Sequence, residues 1–170
     1  MFAQLDTKSV YSFMDSVVDL TTYIKRAKEL GYQSLGLMDR DNLYAAYHFA
    51  QIASRHGLHP LIGMEANLFY EGRKIPFRLL AKNNQGYKNL MKLATELSSG
   101  QREFTAFSDY LNDIALILPS EDWEPGMTLG SEVFIGVRPE DAGKEFDYPV
   151  VPLHTVRYFE NSDRSTIQML

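Results

Sequence analysis

The sequence predicts an α/β fold built around parallel strands, and three observations carry that prediction. Over the first seventy residues, runs with strand-like apolar spacing trade places with runs whose apolar residues recur as on a helix. Glycines stand where the helical runs stop, at Gly31 and Gly57. A chain of 170 residues with 45% apolar and 12% aromatic content can bury a substantial core as one domain. The order strand, helix, strand, helix, strand favours a parallel sheet or barrel with right-handed crossovers.

The elements follow in order. Residues 2–6 (FAQLD) alternate and read as a short strand. Leu20, Tyr23, Ile24, Ala27 and Leu30 form the apolar face of a helix closed by Gly31. SLGLMD (34–39) reads as a buried strand, and Asp41 as the cap of a helix from Asn42 to about His56. HPLIGMEANLFY (59–70) is a strand, EGRK (71–74) a turn, IPFRLLAKN (75–83) a strand, and residues 84–100 an amphipathic helix ending near Gly100. A short helix at 105–112 and strands at 114–118, 132–137 and 149–152 complete the reading, with loops at 121–130 and 138–147. In ENSDRSTIQML, Ile167 and Leu170 begin the apolar face of a helix, and the expectation is a segment cut from a longer chain.

Composition excludes several functions. There are no cysteines, which removes disulfides, thiolate metal sites and a cysteine nucleophile and fits the cytoplasm. No apolar run approaches the ~20 residues of a membrane span, and MFAQLDTKSV has no signal-peptide pattern. A net charge of −5 and a pI near 5.3 argue against a DNA-gripping surface.

Single residues give weak signals of chemistry. His48 and His56 lie eight positions apart on one predicted helix, roughly 12 Å, too far to share an ion. His59 follows a helix cap, and all four histidines, His154 included, read better as surface or satisfied residues than as metal ligands. Asp39 and Asp41 could hold Mg²⁺, but Arg40 lies between them and Asp41 reads better as a cap. Ser9 and Ser12 have no neighbouring histidine and no nucleophile elbow, and phosphate-binding glycine loops are absent. Lys25, Arg26 and Lys28, balanced by Glu29, read as a solvated helix face. Tyr44, Tyr47 and Phe49 could stack on bases, with core packing the preferred reading.

Longer stretches say more. IKRAKELGYQSLGLMDRDN (24–42), GLHPLIGMEANLF (57–69) and LLAKNNQGYKNLMKLATELSSG (79–100) resemble, block by block, the PHP (polymerase and histidinol phosphatase) domains of bacterial DNA polymerase III alpha subunits. The last block has no catalytic role in that family, but its length makes it specific. The resemblance implies a distorted (β/α) barrel, complete or short of one or two elements, in a single domain spanning 1–170 at the N-terminus of a longer polymerase chain. Active family members carry a metal cluster at the C-terminal ends of the strands and hydrolyse phosphoesters.

The family's ligand pattern is largely replaced. Its opening His-Leu-His-x-His-Ser reads Gln4, Asp6 and Lys8 followed by Ser9; its Thr-Asp-His-Gly-Asn reads Met38, Asp39, Arg40, Asp41, Asn42; its Asn-Asp-Val-His-Tyr reads His154, Thr155, Val156, Arg157, Tyr158. Asp15, Asp39 and Glu65 remain, and LILPSED offers no counterpart to the family's mid-chain cysteine motif. The vestigial metal-site positions are therefore Gln4, Asp6, Lys8, Asp15, Asp39, Arg40, Glu65, Thr155 and Arg157, with no metal or cofactor expected in this domain and Mg²⁺ expected only for the parent polymerase. The implied role is structural or partner-docking. Its partners are the rest of the polymerase chain and a proofreading or other replisome subunit, with DNA reached only through the parent enzyme and no membrane contact. The alternative is a metal-dependent phosphoesterase or proofreading nuclease working with Asp15, Asp39 and Glu65.

Three histidine positions of the family carry cations here. Lys8, Arg40 and Arg157 are expected to point inward and pair with Asp6, Asp15, Asp39 or Glu65, because acids left without their metal would otherwise repel. For DNA the expected outcome is weak binding, with a duplex titration of the domain at physiological salt giving a Kd of ~10⁻⁴ M or weaker. Micromolar binding with a steep salt dependence would contradict it.

Overall fold

The computed structural model describes residues 3–130, 132–159 and 163. Its elements in chain order are β1 (Ala3–Gln4), β2 (Asp6–Thr7), α1 (Leu20–Glu29), β3 (Ser34–Arg40), α2 (Ala46–Arg55), β4 (His59–Tyr70), β5 (Arg73–Ala81), α3 (Asn84–Ser98), β6 (Ile114–Pro119), β7 (Val133–Val137), β8 (Val150–Pro152) and β9 (Thr155–Val156). Seven strands form one curled sheet in the order β1-β3-β4-β5-β6-β7-β8. Pairing is parallel from β1 to β4, antiparallel through β4, β5 and β6, and parallel again from β6 to β8.

The two edges of this sheet approach each other. β1 continues past Leu5 into β2, and β8 continues past Leu153 and His154 into β9; β2 and β9 then pair in parallel. Gln4 Nε2 donates to the His154 carbonyl at 2.6 Å and helps tie the edges. The result is a distorted barrel whose first half carries helices on its outside. The connections between the later strands are made by loops and short 3₁₀ turns, so the barrel is incomplete as a β/α structure.

Alternation along the strands sorts side chains into layers. Leu35 and Leu37 pack outward with Tyr23, Ile24, Phe49 and Ala53 of the helices. Met64, Ala66, Leu68, Ile75, Phe77 and Leu79 pack under α3. Met38, Ile117 and Leu153, joined by Leu5, Leu80 and Phe134, form a small apolar cluster drawn from separate strands. The clearance near it is narrow: a Cβ at Gly36 would lie 2.0 Å from the Leu5 carbonyl oxygen.

Several local readings need correction. The first strand is two pieces, broken at Leu5. Leu30 is 70% exposed, because α1 ends at Glu29 and Gly31 turns the chain away at φ +81°. Asp41 does not cap α2. It continues past β3, donating its N–H to the Glu65 carbonyl, and its carboxylate accepts from Asn67 N–H and Arg102. α2 starts four residues later than expected, at Ala46, without a side-chain cap. The 105–112 helix is a 3₁₀ turn over Phe104–Tyr110. Of the three aromatics read as packing residues, Phe49 is fully buried, whereas Tyr44 and Tyr47 stand in solvent. The expected C-terminal helix face with Ile167 and Leu170 lies outside the described residues.

The remaining boundaries follow from chemistry. Glu71 and Gly72, both at positive φ, form the two-residue turn between β4 and β5, with Tyr70 opposite Arg73. Asn83 caps α3 by accepting from Gln85 and Gly86 N–H. Gly86 is required by close approach, since its Cβ would meet the Asp113 carbonyl oxygen at 2.1 Å. Glycine-to-alanine changes inside a helix usually stabilise by up to ~1 kcal/mol. Gly86→Ala is expected to destabilise instead, which urea unfolding would register as a lower midpoint with unchanged slope.

Candidate functional site

At one end of the barrel the strand termini and the loops after β2 and β9 bring charged groups together. Lys8 is fully buried. Its Nζ lies 2.6 Å from Asp6 Oδ1 and 3.0 Å from Glu65 Oε2, and it donates to the Met38 carbonyl at 2.7 Å. All three ammonium hydrogens can therefore be satisfied, as a buried charge requires.

Arg78 supplies a second buried cation. Its Nε lies 3.0 Å from Asp6 Oδ2, its Nη2 lies 3.3 Å from Glu65 Oε2, and its Nη1 donates to the Pro76 carbonyl. Glu65 and Arg78 are direct cross-strand partners in the antiparallel β4–β5 pair. Sequence reasoning missed Arg78, although a signal was present. Ile75, Phe77 and Leu79 alternate and are buried on one face, so Arg78 must project from the other, beside Glu65.

The network continues outward to the solvent. Arg40 bridges two acids, with Nε 3.0 Å from Glu65 Oε1 and Nη2 2.8 Å from Asp15 Oδ2. Arg157 Nη1 lies 3.1 Å from Asp15 Oδ1. The order is therefore Arg157, Asp15, Arg40, Glu65, then Lys8 and Arg78, then Asp6. The arginines at the outer end are about 40% exposed, while Asp6, Lys8 and Glu65 are almost wholly enclosed. Thr155 donates to Asp6 Oδ2 at 2.7 Å, and Gln4 donates to the Asp6 carbonyl.

Asp39 stands apart from the cations. Its carboxylate accepts from Ser9 N–H, Ser9 Oγ and Ser12 Oγ, all at 2.7 Å. It thus holds the 9–12 loop, and the two serines act as its ligands rather than as nucleophiles. The histidines stay out of the network. His48, His59 and His154 are exposed, and His56 bonds its own helix through the Ile52 carbonyl.

Electrostatics keep the acids ionised. Burial drives Asp6 toward protonation, but the charges of Lys8 and Arg78 and the hydrogen bonds from Lys8 and Thr155 outweigh it, and the carboxyl ends below its ordinary range. Glu65 is lowered in the same way, burial being overcome by Lys8, Arg78 and Arg40. For Arg40, burial opposes the charge, yet Glu65, Asp15 and Asp41 hold its proton more firmly than usual.

A metal cluster fits these residues poorly. The carboxylate oxygens that would coordinate it are engaged by Lys8, Arg40, Arg78, Arg157, Thr155, Ser9 and Ser12. Among the described residues no three His, Asp or Glu side chains converge in a way that could hold an ion. An ammonium and guanidinium groups among the same oxygens would also repel a dipositive ion. A cleft of about 960 Å³ opens over the network, with Arg40, Arg78, Arg138 and Arg157 among its walls. Another, of about 710 Å³, lies between the 104–110 turn and residues 128–130 and contains none of the network.

The domain is thus a barrel whose edges β2 and β9 join, with buried acids paired to cations at one end. The chain belongs to the PHP domain family, whose pattern matches residues 4–124. Over its whole length it is 44% identical to DNA polymerase III subunit alpha of Streptococcus pyogenes serotype M1, of which it spans 17%. It is 33% identical over 126 residues, 71% of the chain and 11% of the relative, to DNA polymerase III subunit alpha of Bacillus subtilis (strain 168). Among solved structures, an amidohydrolase from Chromobacterium violaceum is similar with a TM-score of 0.48 and 21% identity, over 58% of this chain and 34% of that one.

The network grades its expected responses by burial. Lys8→Met leaves Asp6 with Arg78 alone and Glu65 with Arg78 and Arg40, and should cost ~3–5 kcal/mol, the range for breaking a buried pair. Arg157→Ala, at the half-exposed end, should cost under ~1 kcal/mol. Chemical denaturation measures both. Because the folded-state values of Asp6 and Glu65 are lowered, their stabilisation is complete above the unfolded carboxylate range near ~4 and is lost as pH falls through the folded values. Stability should therefore drop below about pH 4, and a flat profile there would contradict the pairing.

Proposed function

We propose that this domain is a non-catalytic, structural PHP domain at the N-terminus of a DNA polymerase III alpha subunit, the parent being a DNA-directed DNA polymerase. The observation that carries the reading is the Lys8 ammonium, fully buried between Asp6 and Glu65 at 2.6 and 3.0 Å. Phosphoester hydrolysis in this scaffold needs a metal-bound hydroxide and a dication to stabilise developing charge. A fixed monocation offers neither an open coordination position nor a lowered water pKa. Its chemistry is that of a structural tie.

The family match and the polymerase relatives support the parent assignment. The chain spans 17% of the first of those relatives, so template-directed synthesis, its Mg²⁺ and the DNA contacts belong to the rest of that protein in this reading. The partners are that remaining chain and a proofreading or other replisome subunit. The competing reading, a phosphoesterase using Asp15, Asp39 and Glu65, requires oxygens that already pair with Arg40, Arg157, Ser9 and Ser12.

Elemental analysis of the purified protein after exposure to Mn²⁺ and Zn²⁺, together with a phosphoester hydrolysis assay, tests the proposal. The expected result is no retained stoichiometric metal and no hydrolysis above background. Metal retention with hydrolysis that disappears in Glu65→Ala would overturn it.

A further inference from the structure

The cleft between the 104–110 turn and residues 128–130 is apolar at its base and acidic at its lips. Phe104, Ile114, Leu116, Leu129 and Val133 form the base, all of them buried. Glu71, Glu103, Asp113 and Glu132 also line it, with Lys82 the one cation among them. Lys82 Nζ lies 2.5 Å from Glu132 Oε1, in a pair half open to water and therefore easily exchanged. Among the described residues, neither the Glu71 nor the Glu103 carboxylate makes an ion pair. The volume of about 710 Å³ is that of a groove able to enclose a ligand.

The sheet sets the length of this groove. Glu71 stands in the turn before β5, and Glu103 bridges to Phe69 near the end of β4. Lys82 follows β5 at its other end, where its N–H donates to the Asp113 carbonyl, and Leu116 N–H donates to the Glu132 carbonyl. The two acidic ends are therefore separated along β5, Arg73–Ala81, by up to ~26 Å at ~3.3 Å a residue. The walls are tied in place. Thr128 N–H donates to Tyr70 Oη, Tyr148 Oη to the Met127 carbonyl, and Phe69 N–H to the Arg102 carbonyl. The result is a long preformed slot with hydrocarbon in the middle and negative charge at both ends.

We propose that this groove binds an extended peptide segment of another protein, apolar in its middle and carrying lysine or arginine at both ends. Charge complementarity selects the occupant. Four carboxylates against one ammonium repel an acidic segment or a nucleic-acid backbone. The apolar base selects further, because a uniformly polar polycation gains nothing from covering it. Lysine and arginine suit the lips, since they lay their methylene stems on apolar surface while the charged head stays in water beside a carboxylate. Length fits an extended chain, which at ~3.3–3.6 Å a residue needs about seven residues to reach from one acidic end to the other. The groove contains none of the buried ion-pair network, so the proposal holds whether that network is structural or catalytic.

The test titrates the full chain into a dye-labelled peptide of about seven residues, leucines flanked by lysines at both ends, and follows fluorescence polarisation. Two peptides serve as comparisons, one with glutamates for the lysines and one with serines for the leucines. Two variants alter the groove by different means. Glu71→Lys with Glu103→Lys reverses charge at one end, and Thr105→Trp fills the slot from the 104–110 wall without changing charge. The expected result is saturable binding of the lysine–leucine peptide, weakened roughly tenfold by either variant and by serine for leucine, and no binding of the glutamate peptide. No saturable binding, equal binding of the glutamate peptide, or an unchanged affinity in either folded variant would overturn the proposal. Equal binding of the serine peptide, or full displacement by spermine at matched charge concentration, shows capture of any polycation and would overturn it as well. Because the variants act by charge and by volume, a folding defect in one leaves the other decisive.

Discussion

The whole arrangement depends on the charge of one lysine. Lys8 has no exposed surface, and an ammonium without water must be neutralised by groups fixed in place. Asp6 comes from its own strand, Glu65 from β4, and the Met38 carbonyl from β3. One cation therefore holds three strands at a common depth. Arg78 repeats the constraint from β5, and Thr155 brings in β9 through Asp6. The strands are joined here by electrostatics as well as by ladder hydrogen bonds.

Such a network is no large source of stability by itself. Desolvating each charge costs several kcal/mol, and the mutual attraction roughly returns it when the geometry is good. What the network supplies is exclusion of alternatives. A shifted register in β4 or β5 would carry Glu65 and Arg78 to the opposite face and leave buried charges unpartnered. The polar end of the barrel therefore fixes registry, while the clusters around Phe77, Leu90, Phe49 and Ile24 provide the burial that drives folding.

Much of the fold was legible because periodicity reports burial. The spacing of Leu20, Tyr23, Ile24 and Ala27 located α1, and the run HPLIGMEANLFY between Gly57 and the EGRK turn reads as the strand that is β4. The site was legible in part, through the substitution of Lys8, Arg40 and Arg157 at family histidine positions; each makes an ion pair with a named carboxylate. Asp39 differed, because hydroxyls and an N–H from the adjacent loop reach it before any cation does. Arg78 escaped because an arginine inside an apolar run looks like a single polar interruption until its cross-strand partner is known. Asp41 misled for a related reason. A capping residue type before a helical pattern is a local signal, and its carboxylate was instead claimed by Asn67 and Arg102, distant in sequence.

The pairing of β2 with β9 also has a meaning in time. Its register places Asp6 opposite Thr155 and Thr7 opposite Val156, so the two halves of this ladder lie almost a domain length apart in the chain. During synthesis the first strand emerges long before its partner exists. Until residue 156 has left the ribosome, Asp6 lacks Thr155 and the Lys8 N–H lacks the Val156 carbonyl. The helices and the β3–β4–β5 core are local and can form early, whereas the seam joining the edges is the most non-local contact described. β2 is thus made long before β9, and the seam between them is among the last contacts completed. Through that interval Asp6 and Lys8 stay on an unfinished edge, where their charge keeps it soluble and discourages pairing with other chains.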